Sequence, residues 1–156
     1  MLEADYGFCA VFYDTKPLVL RYLQPVFKNI YIQNIICNGA KTGIFLRGLP
    51  EMPVQNIYME NLVLNTDIGV EIKDAKGIYI KNCDFTTKKG KELIYIETSQ
   101  NISLDKINSN QSEGTIFNIN GESSSDISIK NSTFSENLTK VVFNNNAVAK
   151  SLKFNK

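Results

Sequence analysis

Histidine and tryptophan are both absent from the 156 residues. Without histidine there is no Ser-His-Asp or Cys-His catalysis, and the common zinc-based hydrolytic sites lose their usual ligand. Cysteine is scarce: Cys9, Cys37 and Cys83 form an odd set at wide spacing with no Cys-x-x-Cys pair. Neither metal ligation nor any cofactor is expected from them, and each reads as a small buried side chain, as in Ile35-Ile36-Cys37. Charge of one sign is also lacking. Lys plus Arg is 17 and Asp plus Glu is 16, a net +1, so the chain shows no basic excess of the kind that marks a nucleic-acid partner. No apolar run reaches membrane length, and no membrane partner is expected. The opening Met1-Leu2-Glu3-Ala4-Asp5 is acidic and carries no signal-peptide pattern.

What is present is repetition. Asn29-Ile30-Tyr31-Ile32-Gln33-Asn34 returns as Asn56-Ile57-Tyr58-Met59-Glu60-Asn61 and as Gly77-Ile78-Tyr79-Ile80-Lys81-Asn82. Weaker copies begin at Asn101 and Asp126, with a partial one at Ser151. The first aliphatic residue of each copy falls at 30, 57, 78, 102, 127 and 152, a step of 21 to 27 residues. That period is too short for a propeller blade or a helical-pair repeat. Each copy alternates apolar and polar residues, as a half-buried strand does.

A second strand signal follows in each copy: Gly43-Ile44-Phe45-Leu46, Gly69-Val70-Glu71-Ile72, Leu93-Ile94-Tyr95-Ile96, Thr115 to Ile119 and Val141-Val142-Phe143. Turn formers separate the two signals, at Asn38-Gly39, Asn65-Thr66-Asp67, Lys89-Gly90, Asn110 to Gly114 and Asn144 to Asn146. No segment carries a long 3.6-residue stripe. The pattern predicts an all-β chain with almost no helix, a right-handed parallel β-helix of about five coils with two strands per coil. Residues 1–24 are read as an N-terminal strand and connecting segment, and residues 25–156 as the coils of a single domain. A leucine-rich repeat, the rival at this period, needs regular leucines and a helical segment that are missing here.

In such a stack, equivalent side chains form columns. Asn34, Asn61, Asn82 and Asn131 are placed to form a hydrogen-bonded ladder. Lys106 interrupts it, which predicts a different turn in the fourth coil, and Asn155 is placed to resume it. Tyr31, Tyr58 and Tyr79 share one position and predict a solvent-facing aromatic column. The first coil leaves an open strand edge. That edge predicts end-to-end homo-association unless the apolar residues Pro17, Leu18, Val19, Leu20 and Leu23 fold over it.

Over residues 5–85 the chain resembles the C-terminal part of family 28 glycoside hydrolases, the polygalacturonases. The resemblance rests on Pro25-Val26-Phe27-Lys28-Asn29-Ile30-Tyr31-Ile32, on Cys37-Asn38-Gly39-Ala40, and on Ile44-Phe45-Leu46-Arg47-Gly48-Leu49-Pro50-Glu51-Met52 followed by Asn56-Ile57. Beyond residue 85 only the coil period continues. The resemblance implies a parent enzyme that hydrolyses galacturonic acid linkages in pectin with inversion, using carboxylates spaced to admit a water. It also implies an extracellular or periplasmic setting. The family's Asp-Asp, Gly-His and Arg-Ile-Lys segments are absent, so this chain is expected to be inactive alone. Asn65-Thr66-Asp67 is not accepted as the family's Asn-Thr-Asp motif, because it follows the segment ending in Met52, which in the family lies beyond all catalytic motifs.

Three residues are carried as substrate-binding candidates. Tyr13 ends a segment, Tyr6-Gly7 to Tyr13, that resembles the family's substrate-contacting tyrosine, with one residue fewer. Arg47 offers a guanidinium fork suited to a uronate carboxylate, and Glu51 lies nearby in sequence. The partner so implied is a polysaccharide, pectin or galacturonan. The alternative is a non-catalytic carbohydrate-binding or structural β-helix.

Overall fold

The computed structural model describes residues 11–13, 26–88, 92–136, 139–148 and 152–155. Cys9, the apolar residues between Pro17 and Leu23, and the Lys89-Gly90 turn lie outside the described residues. The strands are β1 (Val11–Tyr13), β2 (Lys28–Arg47), β3 (Val54–Lys73), β4 (Ala75–Thr87), β5 (Ile94–Glu97), β6 (Gln100–Ser109), β7 (Thr115–Asn120), β8 (Ser125–Lys130), β9 (Thr133–Phe134), β10 (Thr139–Asn144) and β11 (Leu152–Asn155). Every pairing between these strands is parallel, there is no helix among the described residues, and the chain winds as a right-handed β-helix of about five turns.

The six aliphatic positions read from the repeat lie in one column. Ile30 pairs with Ile57, then Ile78, Ile102, Ile127 and Leu152 in successive coils. The four central members are fully buried. A neighbouring column runs Ile32, Met59, Ile80, Leu104, Ile129 and Phe154. Together they form the inner side of the first face.

Each coil has three faces, not the two expected. The unexpected one lies between the two strand signals: Ile35–Asn38, Leu62–Thr66, Cys83–Thr87, Ile107–Ser109 and β9, with Leu62, Leu64, Cys83, Phe85 and Ile107 buried. The third face is the second strand signal itself. Its inner columns are Ile44, Val70, Ile94, Phe117, Val141 and Leu46, Ile72, Ile96, Ile119, Phe143.

The corners explain both the repeat and the miscount. Asn29, Asn56, Gly77, Asn101 and Asp126 all have φ between 53 and 72°. Asn34, Asn61, Asn82, Lys106 and Asn131 have φ between 50 and 60°. Asp74, Thr98, Gly121 and Asn145 mark a third corner. Asparagine tolerates this left-handed region better than most residues. One left-handed residue turns the strand and resets its alternation, so buried residues flank the corner three apart, as Met59 and Leu62 flank Asn61. Hydrogen bonding continues through these corners, which is why β2 and β3 run for 20 residues each. The turn formers Asn38-Gly39 and Asn65-Thr66 therefore do not end a strand; pairing only shifts by one residue at Asn38/Ala40.

The asparagine ladder forms at three of its four expected positions, Asn34, Asn61 and Asn82. Asn61 Nδ2 donates to Asn34 Oδ1 at 2.9 Å, and Asn82 Nδ2 to Asn61 Oδ1 at 2.7 Å. At Lys106 the expectation of a different turn fails: Lys106 keeps φ at 55°, and only the side-chain ladder breaks. Asn131 turns to Asp105 Oδ1 instead, at 2.8 Å. Asn155 does not resume the ladder, because the register sets it against Lys130. A second ladder, not foreseen, joins Asn56 Nδ2 to Asn29 Oδ1 at 3.1 Å.

The cysteines divide. Cys83 is buried and free, and burial pushes its thiol up to about 11. Cys37 is only half-buried and is disulfide-bonded, which corrects its reading as a small core residue.

Candidate functional site

The outer side of the third face carries a cluster of aromatic and charged residues. Alternation turns Ile44, Leu46, Val70 and Ile72 inward, so Phe45, Arg47, Glu71 and Lys73 face out. In the next coil Tyr95 and Glu97 hold the same places. The strand register sets Tyr13 beside Arg47, Arg47 beside Lys73, and Lys73 beside Glu97. Two of the three residues singled out by sequence, Tyr13 and Arg47, thus occupy one row on adjacent strands.

The charges in this row are partnered. Arg47 Nη2 reaches Glu71 Oε1 at 3.1 Å, and its guanidinium sits 4.7 Å from the centre of the Phe45 ring. Lys73 Nζ lies 2.5 Å from Glu97 Oε2 and 5.2 Å from the Tyr95 ring centre. Tyr95 donates its hydroxyl to Glu97 Oε2 at 2.8 Å. The hydrogen bond from Lys73 is the largest influence holding the Glu97 carboxyl below its usual range. Partial burial, then the bond to Glu97, pushes the Tyr95 hydroxyl up to about 12. Ile68, Glu71, Lys73, Glu92 and Tyr95 line a shallow depression of about 180 Å³. Arg47 is exposed, and an exposed ion pair contributes about 0–1 kcal/mol, so an incoming anion can displace its Glu71 partner at small cost.

Glu51 is not part of this row. It sits exposed in the tight turn closed by the Leu49–Met52 bridge, and the carboxylate that meets Arg47 is Glu71. Glu71, Lys73, Tyr95 and Glu97 were missed as site residues. Their signal was available, because Val70-Glu71-Ile72-Lys73 and Ile94-Tyr95-Ile96-Glu97 align with Ile44-Phe45-Leu46-Arg47. Asp67 holds Lys88 Nζ at 2.7 Å across a corner. Among the described residues no cluster of carboxylates or cysteines could hold a metal ion.

The tyrosine column is present on the first face. Tyr31 stacks on Tyr58 at 4.6 Å and Tyr58 on Tyr79 at 4.8 Å, with interplanar angles of 7 and 8°. Asn101 Nδ2 closes the column on the Tyr79 hydroxyl at 3.0 Å. Tyr58 spends both ring faces on its neighbours, whereas Tyr31, 68% exposed, and Tyr79 stand at the two ends of the stack. A sugar needs an open face to stack upon, so Tyr58 offers little for carbohydrate binding.

Compared with known proteins, the chain matches no protein-family model, no curated protein and no solved structure.

Proposed function

We propose that this chain is the C-terminal β-helix portion of a polygalacturonase-like glycoside hydrolase acting on pectin. It contributes substrate contacts and no acid–base groups. The reading is supported by one observation above others. Tyr13 and Arg47 come from two segments of the resemblance, 34 residues apart in the sequence, and the strand register sets them side by side with Lys73 next in line. An aromatic position followed by two cations is chemistry that suits a chain of uronic acids. The disulfide at Cys37 accords with an extracellular or periplasmic setting, because such bonds persist in oxidising compartments.

Two measurements test this reading. The chain alone is expected to release no reducing sugar from polygalacturonate. Calorimetric titration with galacturonate oligomers is expected to show binding that Arg47→Ala weakens roughly tenfold, the loss of one charge-assisted hydrogen bond. Robust hydrolysis would overturn the assignment as a non-catalytic portion. Absence of binding would leave the alternative, a structural β-helix, which the self-stacked tyrosine column favours.

A further inference from the structure

Asparagine stands directly before glycine twice in the chain, at Asn38-Gly39 and Asn120-Gly121. Asparagine is a labile residue, most of all before glycine, where no Cβ shields the next backbone nitrogen. That nitrogen can attack the side-chain carbonyl carbon, an intramolecular step that needs room and alignment. The fold places the two pairs in opposite circumstances.

Asn120 is held. It is 5% exposed, its Nδ2 donates to Asn118 Oδ1 at 2.8 Å, and its Oδ1 accepts from Asn145 Nδ2 at 3.3 Å. The attacking nitrogen is engaged as well, because the Gly121 N–H donates to the Asn144 carbonyl at 3.3 Å. Attack there means breaking these bonds inside a strand paired on both sides. Asn38 is not held. It is exposed at the end of the second face, and among the described residues no hydrogen bond fixes its side chain. Gly39 follows with φ at 83°. The ladder to β3 pairs Asn38 with Asn65 and Ala40 with Thr66, stepping over Gly39. A Cβ added to Gly39 would meet nothing within 4 Å, so the space beside it is open.

We propose that Asn38 is a site of spontaneous deamidation in the folded protein, while Asn120 stays intact. The Gly39 nitrogen bonds to Asn38 Cγ, its proton leaves with the side-chain NH2 as ammonia, and a succinimide ring closes. Water then opens the ring at either carbonyl. One opening gives aspartate, the other isoaspartate, and the proton released with the new carboxylate passes to the ammonia. The isoaspartate route adds one methylene to the main chain. β2 already shifts register between Asn38 and Ala40, so the extra atom falls where pairing is interrupted and the coils on either side keep theirs. Either product raises the acidic count from 16 to 17, equal to the 17 basic residues. The net charge that opposes self-association is then lost.

Incubation of the full chain in heavy-oxygen water at mildly alkaline pH, followed by peptide mass spectrometry, tests this. Heavy oxygen is expected at Asn38 and not at Asn120, and at both when the chain is held in denaturant. Isoelectric focusing is expected to show one acidic step, with the circular dichroism unchanged. Asn38→Gln, an exposed substitution, is expected to abolish both the label and the step. Equal labelling of the two pairs in the folded protein would mean that reaction passes through unfolding, and would overturn the proposal. So would an unlabelled Asn38 under conditions that label it in the denatured chain, or loss of the circular dichroism signal in step with the label.

Discussion

At the scale of the residue, asparagine 61 shows how one side chain does two jobs. Its backbone holds φ at 60°, and its amide links Asn34 to Asn82. Asn61→Ala loses both, at a cost of about 1–2 kcal/mol for the left-handed backbone and about 1 kcal/mol for the exposed ladder bonds. Asn61→Gly keeps the turn and loses only the ladder, so its denaturation midpoint is expected to fall between wild type and Asn61→Ala. Equal midpoints for the two variants would show that the ladder alone matters. Lys106→Asn is expected to be stabilising by about 0.5–1.5 kcal/mol, because it places an amide between Asn82 and Asn131 at a corner that already has the required φ. The charged cluster on the third face adds a pH signature. Glu97 is held low, so its contribution is present above the unfolded carboxylate range and is lost as pH falls through the folded value. Tyr95 is raised to about 12, so its contribution is present below the unfolded value near 10 and is lost as pH rises from there toward 12. Thermal melting followed across pH is expected to show both losses. Glu97→Gln should flatten the acid one and lower the pH of the alkaline one.

At the scale of the element, the strands were legible wherever alternation ran uninterrupted. All six first-face positions read from the sequence fall in one column, and the second strand signal is the third face. The second face escaped because its inward residues sit three positions from those of the first, as Ile80 and Cys83 do, and a period of two cannot cross that gap. The same left-handed corners hid the continuity of β2 and β3, since Asn-Gly and Asn-Thr-Asp usually close a strand. Candidate site residues were half legible. Motif likeness selected Tyr13 and Arg47, but only strand register shows that they adjoin and that Lys73, Tyr95 and Glu97 share their face. Glycine marks one place where backbone approach decides the residue. A Cβ at Gly69 would stand 2.1 Å from the Leu93 carbonyl oxygen, which accepts the Val70 amide at 2.9 Å. The corner between the second and third faces therefore has no room for a side chain. Gly69→Ala is expected to destabilise by about 1–3 kcal/mol, the cost of overpacking, as read from a denaturation curve.

At the scale of the whole molecule, each coil touches only its neighbours, so stability is carried along a line and not through a single centre. The central coils are the tight ones. Ile57, Ile78 and Ile102 are fully buried, whereas Ile30 at one end is half-buried and Phe154 at the other is half exposed. Amide exchange is accordingly expected to be slowest in β3, β4 and β6 and fastest in β11. A cavity in the middle of the line should act differently from one at its end. Ile78→Ala opens space between Ile57 and Ile102 and is expected to cost about 2–5 kcal/mol. Leu152→Ala removes a partly exposed terminal member of the same column and should cost less. The difference in size is the weaker test, because burial alone accounts for it. The stronger one is location, followed by exchange mass spectrometry on each variant. Ile78→Ala should accelerate exchange in β3 and β6, on both sides of the altered coil. Leu152→Ala should accelerate it in β11 and β8 and leave β3 unchanged. Uniform acceleration by Leu152→Ala would mean that the coils unfold as one unit, and the line would have to be replaced by a single cooperative core.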